Sequence, residues 1–187
     1  MEIIERYIDK IQCVSVCELV KFMNNNVFVT IGLSKSLPTV FVSHSHKDLT
    51  EGKLDKILGY ILKCCRVMIY LDENDEEHRG NNDRDAIKSF LIDRMNEADK
   101  CLITYSQRLE KSQWCEFEYN YIRNEFNGMK AVYNIEEEWN PNNVIKLKRY
   151  RRDFDIVKEA KMCINDKFMV SCRNENIKLK TWCEKTK

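Results

Sequence analysis

Between Thr39 and Ile135 short, β-branched apolar runs alternate with stretches of helical period, and this alternation restricts the fold more than any other feature of the chain. Thr39-Val-Phe-Val-Ser-His44 reads as a buried-type strand. Leu54, Ile57, Leu58, Ile61, Leu62 and Cys65 then recur at helical spacing. Arg66-Val-Met-Ile-Tyr-Leu71 is a second strand, and Asp72 to Asp83 a polar, acidic loop. Ile87, Phe90, Leu91, Met95 and Ala98 mark a second helix, and Lys100-Cys-Leu-Ile-Thr-Tyr105 a third strand. Ser112 has N-cap chemistry for a third helix that is expected to run to about Asn127, with Gly128 placed to end it. Lys130-Ala-Val-Tyr-Asn-Ile135 is the fourth strand. Strand and helix in alternation with short connections predict an α/β chain, a parallel sheet with helices on both faces.

The flanks carry weaker patterns. Residues 1–23 read as helical, with Ile4, Ile8 and Ile11 in phase, and Val27 to Ile31 as an extra strand. After Pro141, Val144 to Leu147 reads as an edge strand, followed by one or two charged helices. The expected division is an N-terminal extension over 1–37, a body over 38–136 and a basic segment over 137–187, packed on the body or completing it.

The formal net charge of +1 is an average of two unlike parts. Lys146 to Lys187 holds 13 basic and 6 acidic residues, while the rest of the chain holds 18 and 24. The basic residues are interleaved with acids, so a solvated surface is the preferred reading and nucleic acid is not an expected partner. No apolar run approaches the ~20 residues that span a bilayer, and Glu2, Glu5 and Asp9 break any signal-peptide pattern. The nine cysteines include no C-x-x-C pair, which points to free thiols in a reducing cytoplasm.

Five glycines, Gly32, Gly52, Gly59, Gly80 and Gly128, are spread too widely for a G-x-G-x-x-G or a G-x-x-x-x-G-K phosphate loop. Any nucleotide must therefore be held by side chains and strand ends. In open α/β sheets ligands bind outside the carboxyl ends of the strands. That rule selects Ser43-His-Ser-His46, Asp72 with its loop, and Ser106 to Glu118. On the third helix, at ~100° per residue, Glu118 falls inside a core-facing stripe of Trp114, Phe117 and Tyr121. A carboxylate there is costly unless paired or functional. Glu125 shares that stripe but lies a further seven residues from the ligand-binding edge. His44 and His46 have no third ligand at metal-site spacing, so no metal is expected. No G-x-S-x-G elbow surrounds Ser43 or Ser45. Asp48 is expected to cap the helix that follows it, and Cys115 to pack.

Taken in order, Phe41-Val-Ser-His-Ser-His-Lys-Asp48, Ile69-Tyr-Leu-Asp72 and Ser112-Gln-Trp-Cys-Glu-Phe-Glu118 resemble a Toll/interleukin receptor (TIR) domain of the bacterial kind. The first matches F-[IV]-S-[YH]-S-x-x-D and the last S-x-W-C-x-x-E. The resemblance covers about Pro38 to Ile135 and implies a flavodoxin-like three-layer sandwich around a central parallel sheet, here with mainly helical extensions at both ends. It also implies cleavage of NAD+, as substrate and not cofactor, at the nicotinamide–ribose bond, giving ADP-ribose or a cyclic isomer used as an immune signal in bacterial antiphage defence. Glu118 takes the family's catalytic position and Trp114 that of the tryptophan beside the substrate. Asp72 matches an acid after the second strand, and His44, Ser45 and His46 occupy the loop that contacts the dinucleotide. Self-association through TIR–TIR contacts and a separate effector that senses the product are further implied. The chain departs from the pattern at Ser45-His46, where an arginine is common, and at Gly80-Asn81-Asn82, where an aromatic is common. Two other readings stand beside this one: a non-catalytic TIR assembly module, and an enzyme like the nucleoside deoxyribosyltransferases.

Overall fold

The computed structural model describes residues 37–65, 67–71, 83–136, 150, 152–159, 168–172 and 175–185. Strand β1 (Thr39–Ser43) leads through a five-residue helix, α1 (His46–Thr50), into α2 (Asp55–Cys64) and β2 (Met68–Tyr70). Helix α3 (Arg84–Glu97), β3 (Lys100–Tyr105), a 3₁₀ turn (Leu109–Lys111), α4 (Gln113–Asn124) and β4 (Met129–Asn134) follow. Strands β5 (Asp155–Glu159), β6 (Phe168–Cys172) and β7 (Glu175–Lys178) and helix α5 (Leu179–Glu184) complete the described elements.

One sheet contains all seven strands in the order β2-β1-β3-β4-β5-β6-β7. The first five are parallel, while β6 and β7 run antiparallel. The chain steps from β1 to β2 in one direction and from β2 across to β3 in the other. Right-handed crossovers taken in opposite directions put their helices on opposite faces. The core divides accordingly. Val40, Val42, Leu102 and Ala131 pack with α2 and α5, whereas Phe41, Cys101, Ile103, Tyr105 and Val132 pack with α3 and α4. Period-two alternation along β1 and β3 decides which side chain meets which helix. Strand β3 is buried at every position because both of its faces are covered. The architecture is thus the expected α/β three-layer one.

Helix α4 begins as its sequence dictates, with Ser112 Oγ accepting from the Cys115 N–H at 3.3 Å. Its buried stripe is Cys115, Glu118, Tyr119 and Ile122, about one residue round from the Trp114–Phe117–Tyr121 stripe expected. The larger aromatics are only partly covered at its edge. The helix stops at Asn124, short of Asn127, and leaves Glu125 exposed. Gly128 is not the residue that ends it. A Cβ there would collide with the Phe126 ring and the Asp99 carbonyl, so Gly128 serves the close approach of chain segments before β4.

The basic C-terminal segment differs most from expectation. Where charged helices were expected, the described residues form β5, β6, β7 and one short helix. Val157, Phe168, Val170, Leu179, Trp182 and Cys183 all enter the core beside α2. Lys100 Nζ, buried at the start of β3, donates to the Lys185 carbonyl at 2.6 Å and so caps the end of α5. The readings made for residues 1–36 and for Val144 to Leu147 lie outside the described residues.

Candidate functional site at the carboxyl ends of β1 and β3

Because β2 lies on one side of β1 and β3 on the other, the direction in which the chain adds strands reverses between β1 and β3. Such a switch point leaves a crevice outside the strand ends. Eight polar or charged residues are buried among the described residues, and seven of them lie here: Ser43, His44, Ser45, Asp48, Thr104, Ser106 and Glu118. Lys100 is the exception. Burying so many polar groups is costly unless each is hydrogen-bonded. A fold that concentrates them at the carboxyl ends of two strands has given up apolar packing there.

Two networks hold the cluster. In the first, Ser43 Oγ donates to Glu118 Oε2 at 2.6 Å, with Ser43 only 1% and Glu118 3% exposed. By alternation Ser43 shares the face of Phe41, the face covered by α4, which is why it meets a residue from that helix. Thr104 Oγ1 donates to the Ser43 carbonyl at 3.0 Å. One turn before Glu118, Cys115 Sγ donates to the His44 carbonyl at 3.2 Å. A hydroxyl and a thiol thus dock the first turns of α4 onto the end of β1. His44 Nδ1 lies 2.9 Å from the Val42 carbonyl, which turns the buried ring back along the strand.

The second network centres on Asp48, which is fully buried. It was expected to cap a helix, but neither α1 nor α2 has a side-chain cap. Its carboxylate instead accepts from Ser106 Oγ at 2.5 Å, and Arg108 and Lys53 approach its other oxygen at 3.3 Å each. Ser106 Oγ in turn accepts from the Leu109 N–H at 3.0 Å. Arg108 also pairs with Glu51 at 2.5 Å, and this hydrogen bond holds the exposed Glu51 carboxyl below its ordinary pKa. Asp48 therefore ties the segment after β1 to the loop after β3.

Of the residues singled out in the sequence, Glu118, His44 and Ser45 are buried in this cluster. Trp114 is half-buried on the first turn of α4, packed at the edge of the core on that face. His46 is exposed as the first residue of α1. Asp72 lies outside the described residues. Sequence reasoning missed the pairing of Ser43 with Glu118 and the hub role of Asp48. The signal available for Ser43 was its parity with Phe41. Among the described residues, no group of three or more His, Cys, Asp or Glu is placed to hold a metal ion.

A cleft of about 450 Å³ lies elsewhere, at the amino ends of β4 and β5, lined by Lys130, Arg152, Asp153, Asp155 and Cys172 among others. Lys130, Asp153 and Asp155 are engaged in the fold. Lys130 Nζ donates to the Ile122 and Arg123 carbonyls in the last turn of α4 and to the Phe126 carbonyl just beyond it. Asp153 pairs with Arg123 at 2.8 Å, and Asp155 accepts from Trp182 Nε1 at 3.3 Å. Burial, and then Asp155 beside it, push the Cys172 thiol up to about 11, which leaves it unreactive near neutrality. The carboxyl ends of β1 and β3 are the better candidate because they gather seven of the eight buried polar or charged residues described.

No helix among the described residues is long and apolar enough to cross a membrane. Comparison of the chain with protein-family models, with curated proteins and with solved structures returns no match.

Proposed function

We propose that the chain is a TIR-type NAD+ glycohydrolase or cyclase with Glu118 as its catalytic carboxylate. The observation that carries this reading is a buried glutamate at the sheet's switch point, held by a serine from β1 and one helical turn past Trp114. The chemistry asks little more of the protein. Nicotinamide leaves the cationic N-glycosidic bond as a neutral base, taking the bonding pair, and needs no proton. The remaining demand is to stabilise an oxocarbenium-like ribose. A carboxylate in a water-poor crevice does so through charge and through hydrogen bonds to the ribose hydroxyls. Water then captures the cation and releases a proton to give ADP-ribose, or an adenine nitrogen captures it to give a cyclic isomer.

His44, Ser45 and His46 are the proposed dinucleotide contacts after β1, Asp72 a further contact after β2, and Trp114 the residue beside the ribose and nicotinamide. The reading extends to self-association through TIR–TIR contacts and to a reducing cytoplasm, in keeping with free thiols at all six described cysteines. It also extends to bacterial antiviral defence, in which the product signals to a separate effector or NAD+ is depleted.

The test is incubation of the purified chain with NAD+ across a range of protein concentrations, with products separated and identified by mass spectrometry. The expected result is nicotinamide with ADP-ribose or a cyclic isomer, reduced at least ~100-fold in Glu118→Ala. Release that persists unchanged in that variant would falsify the assignment. Concentration-dependent assembly without turnover would favour the non-catalytic module. Turnover of deoxyribonucleosides in place of NAD+ would favour the deoxyribosyltransferase-like reading.

A further inference from the structure

A glutamate side chain has three rotatable bonds, and its terminal torsion is broad, so burial alone does not orient its carboxylate. Something must hold the plane of the group if it is to meet one face of a ribose. We propose that Ser43 is the positioning residue for Glu118, a role that rests on the NAD+-cleavage reading and specifies how that site is organised.

The backbone that presents Ser43 is held by β3 and by α4. Its Cα pairs in register with Ile103 of β3, and its carbonyl accepts from Thr104 Oγ1. The following carbonyl, that of His44, accepts from Cys115 Sγ. The Ser43 hydroxyl therefore leaves a fixed point on a single rotatable bond, and its one proton is directed at Glu118 Oε2. At 2.6 Å the contact has the length of an O–H···O⁻ bond, stronger than a neutral one. Such a bond fixes the rotation of the carboxylate. That serves the transition state, where the charge must be aimed, more than it serves binding of the ground state.

The placement also separates Ser43 from a nucleophile's role. A nucleophilic serine would be as indispensable as Glu118, whereas a positioning serine is replaceable by any side chain that returns the hydroxyl to the same place. Threonine does so and suits a strand end.

The experiment uses the full chain in four forms: wild type, Ser43→Ala, Ser43→Thr and Glu118→Ala. Steady-state NAD+ kinetics are measured beside urea unfolding of the same proteins and of the Ser43→Ala/Glu118→Ala double variant. The expected result for Ser43→Ala is a kcat lowered about 10- to 100-fold with KM changed less than about threefold. Ser43→Thr should restore kcat to within a few-fold of wild type. In unfolding, loss of the Ser43 hydroxyl should change the equilibrium constant about tenfold more when Glu118 is present than when it is alanine. A Ser43→Ala kcat within twofold of wild type overturns the proposal. So does a loss as complete as that of Glu118→Ala with no rescue by threonine, or an unfolding cycle that shows no coupling. A wild type that leaves NAD+ intact sinks the cleavage reading instead, and the unfolding cycle still reports whether the two side chains are coupled.

Discussion

Asp48 sits in the first turn of a five-residue helix and is fully buried, yet its carboxylate is reached by Lys53, Ser106 and Arg108. The two cations stay more than a third exposed, so water screens their share of the attraction. The Ser106 hydroxyl is buried and has no such relief. Asp48→Ala should therefore cost about 2–3 kcal/mol, most of it from stranding that hydroxyl and vacating a packed site. Asp48→Asn keeps an acceptor and should cost about 1 kcal/mol. Urea unfolding of both variants measures the difference, and equal losses would show that the ion pairs dominate. At this scale Glu118 was legible in the sequence, because a carboxylate in an apolar helical stripe is a local anomaly. Its partner was not, since nothing local says which strand residue lies across a gap of 75 positions.

Two glycines make opposite predictions at the scale of single elements. Gly59 lies within α2, and a Cβ there would meet nothing within 4 Å. Gly59→Ala should raise stability by about 0.5–1 kcal/mol by removing backbone freedom from the unfolded chain. Gly128→Ala should lower it by about 2–3 kcal/mol, because one of the colliding groups is the Asp99 backbone carbonyl and cannot swing aside. Thermal unfolding of the pair checks both signs. A Gly128→Ala variant as stable as wild type would show that the segment before β4 can shift. Capping at Ser112 was legible because it acts over three residues. The exact burial stripe of α4 was not, since it is set by the rotation at which the helix docks on β1 and β3.

The whole molecule depends on its basic C-terminal segment. Trp182, Leu179 and Cys183 are fully buried against the face that carries α2. On the other face Tyr150 and Phe154 pack on Tyr119, at ring-centroid distances of 5.0 and 5.7 Å. Both layers therefore need residues from beyond the body expected over 38–136. A chain cut to residues 38–136 should fail to fold as a monomer, exposing the β4 edge and the flanking apolar surface. Circular dichroism and sedimentation of that fragment provide the measurement, and a cooperative, monomeric fragment would sink the prediction. On the intact chain, Trp182→Ala should cost about 3–5 kcal/mol.

The sequence by itself determined the βα alternation, the parallel sheet with helices on two faces, and the Ser112 cap. All of these follow from local spacing or from a period of two or 3.6 residues. Only the tertiary structure decided that Ser43 meets Glu118, that Asp48 joins two loops, and that the charged tail becomes strands. Contacts such as Ser106 with Asp48 span 58 positions and depend on which strands become neighbours. In the tail, the period-two residues Phe168 and Val170 count as a buried side only once β5 offers an edge to pair with. Without that edge, their charged surroundings read as a solvated helix.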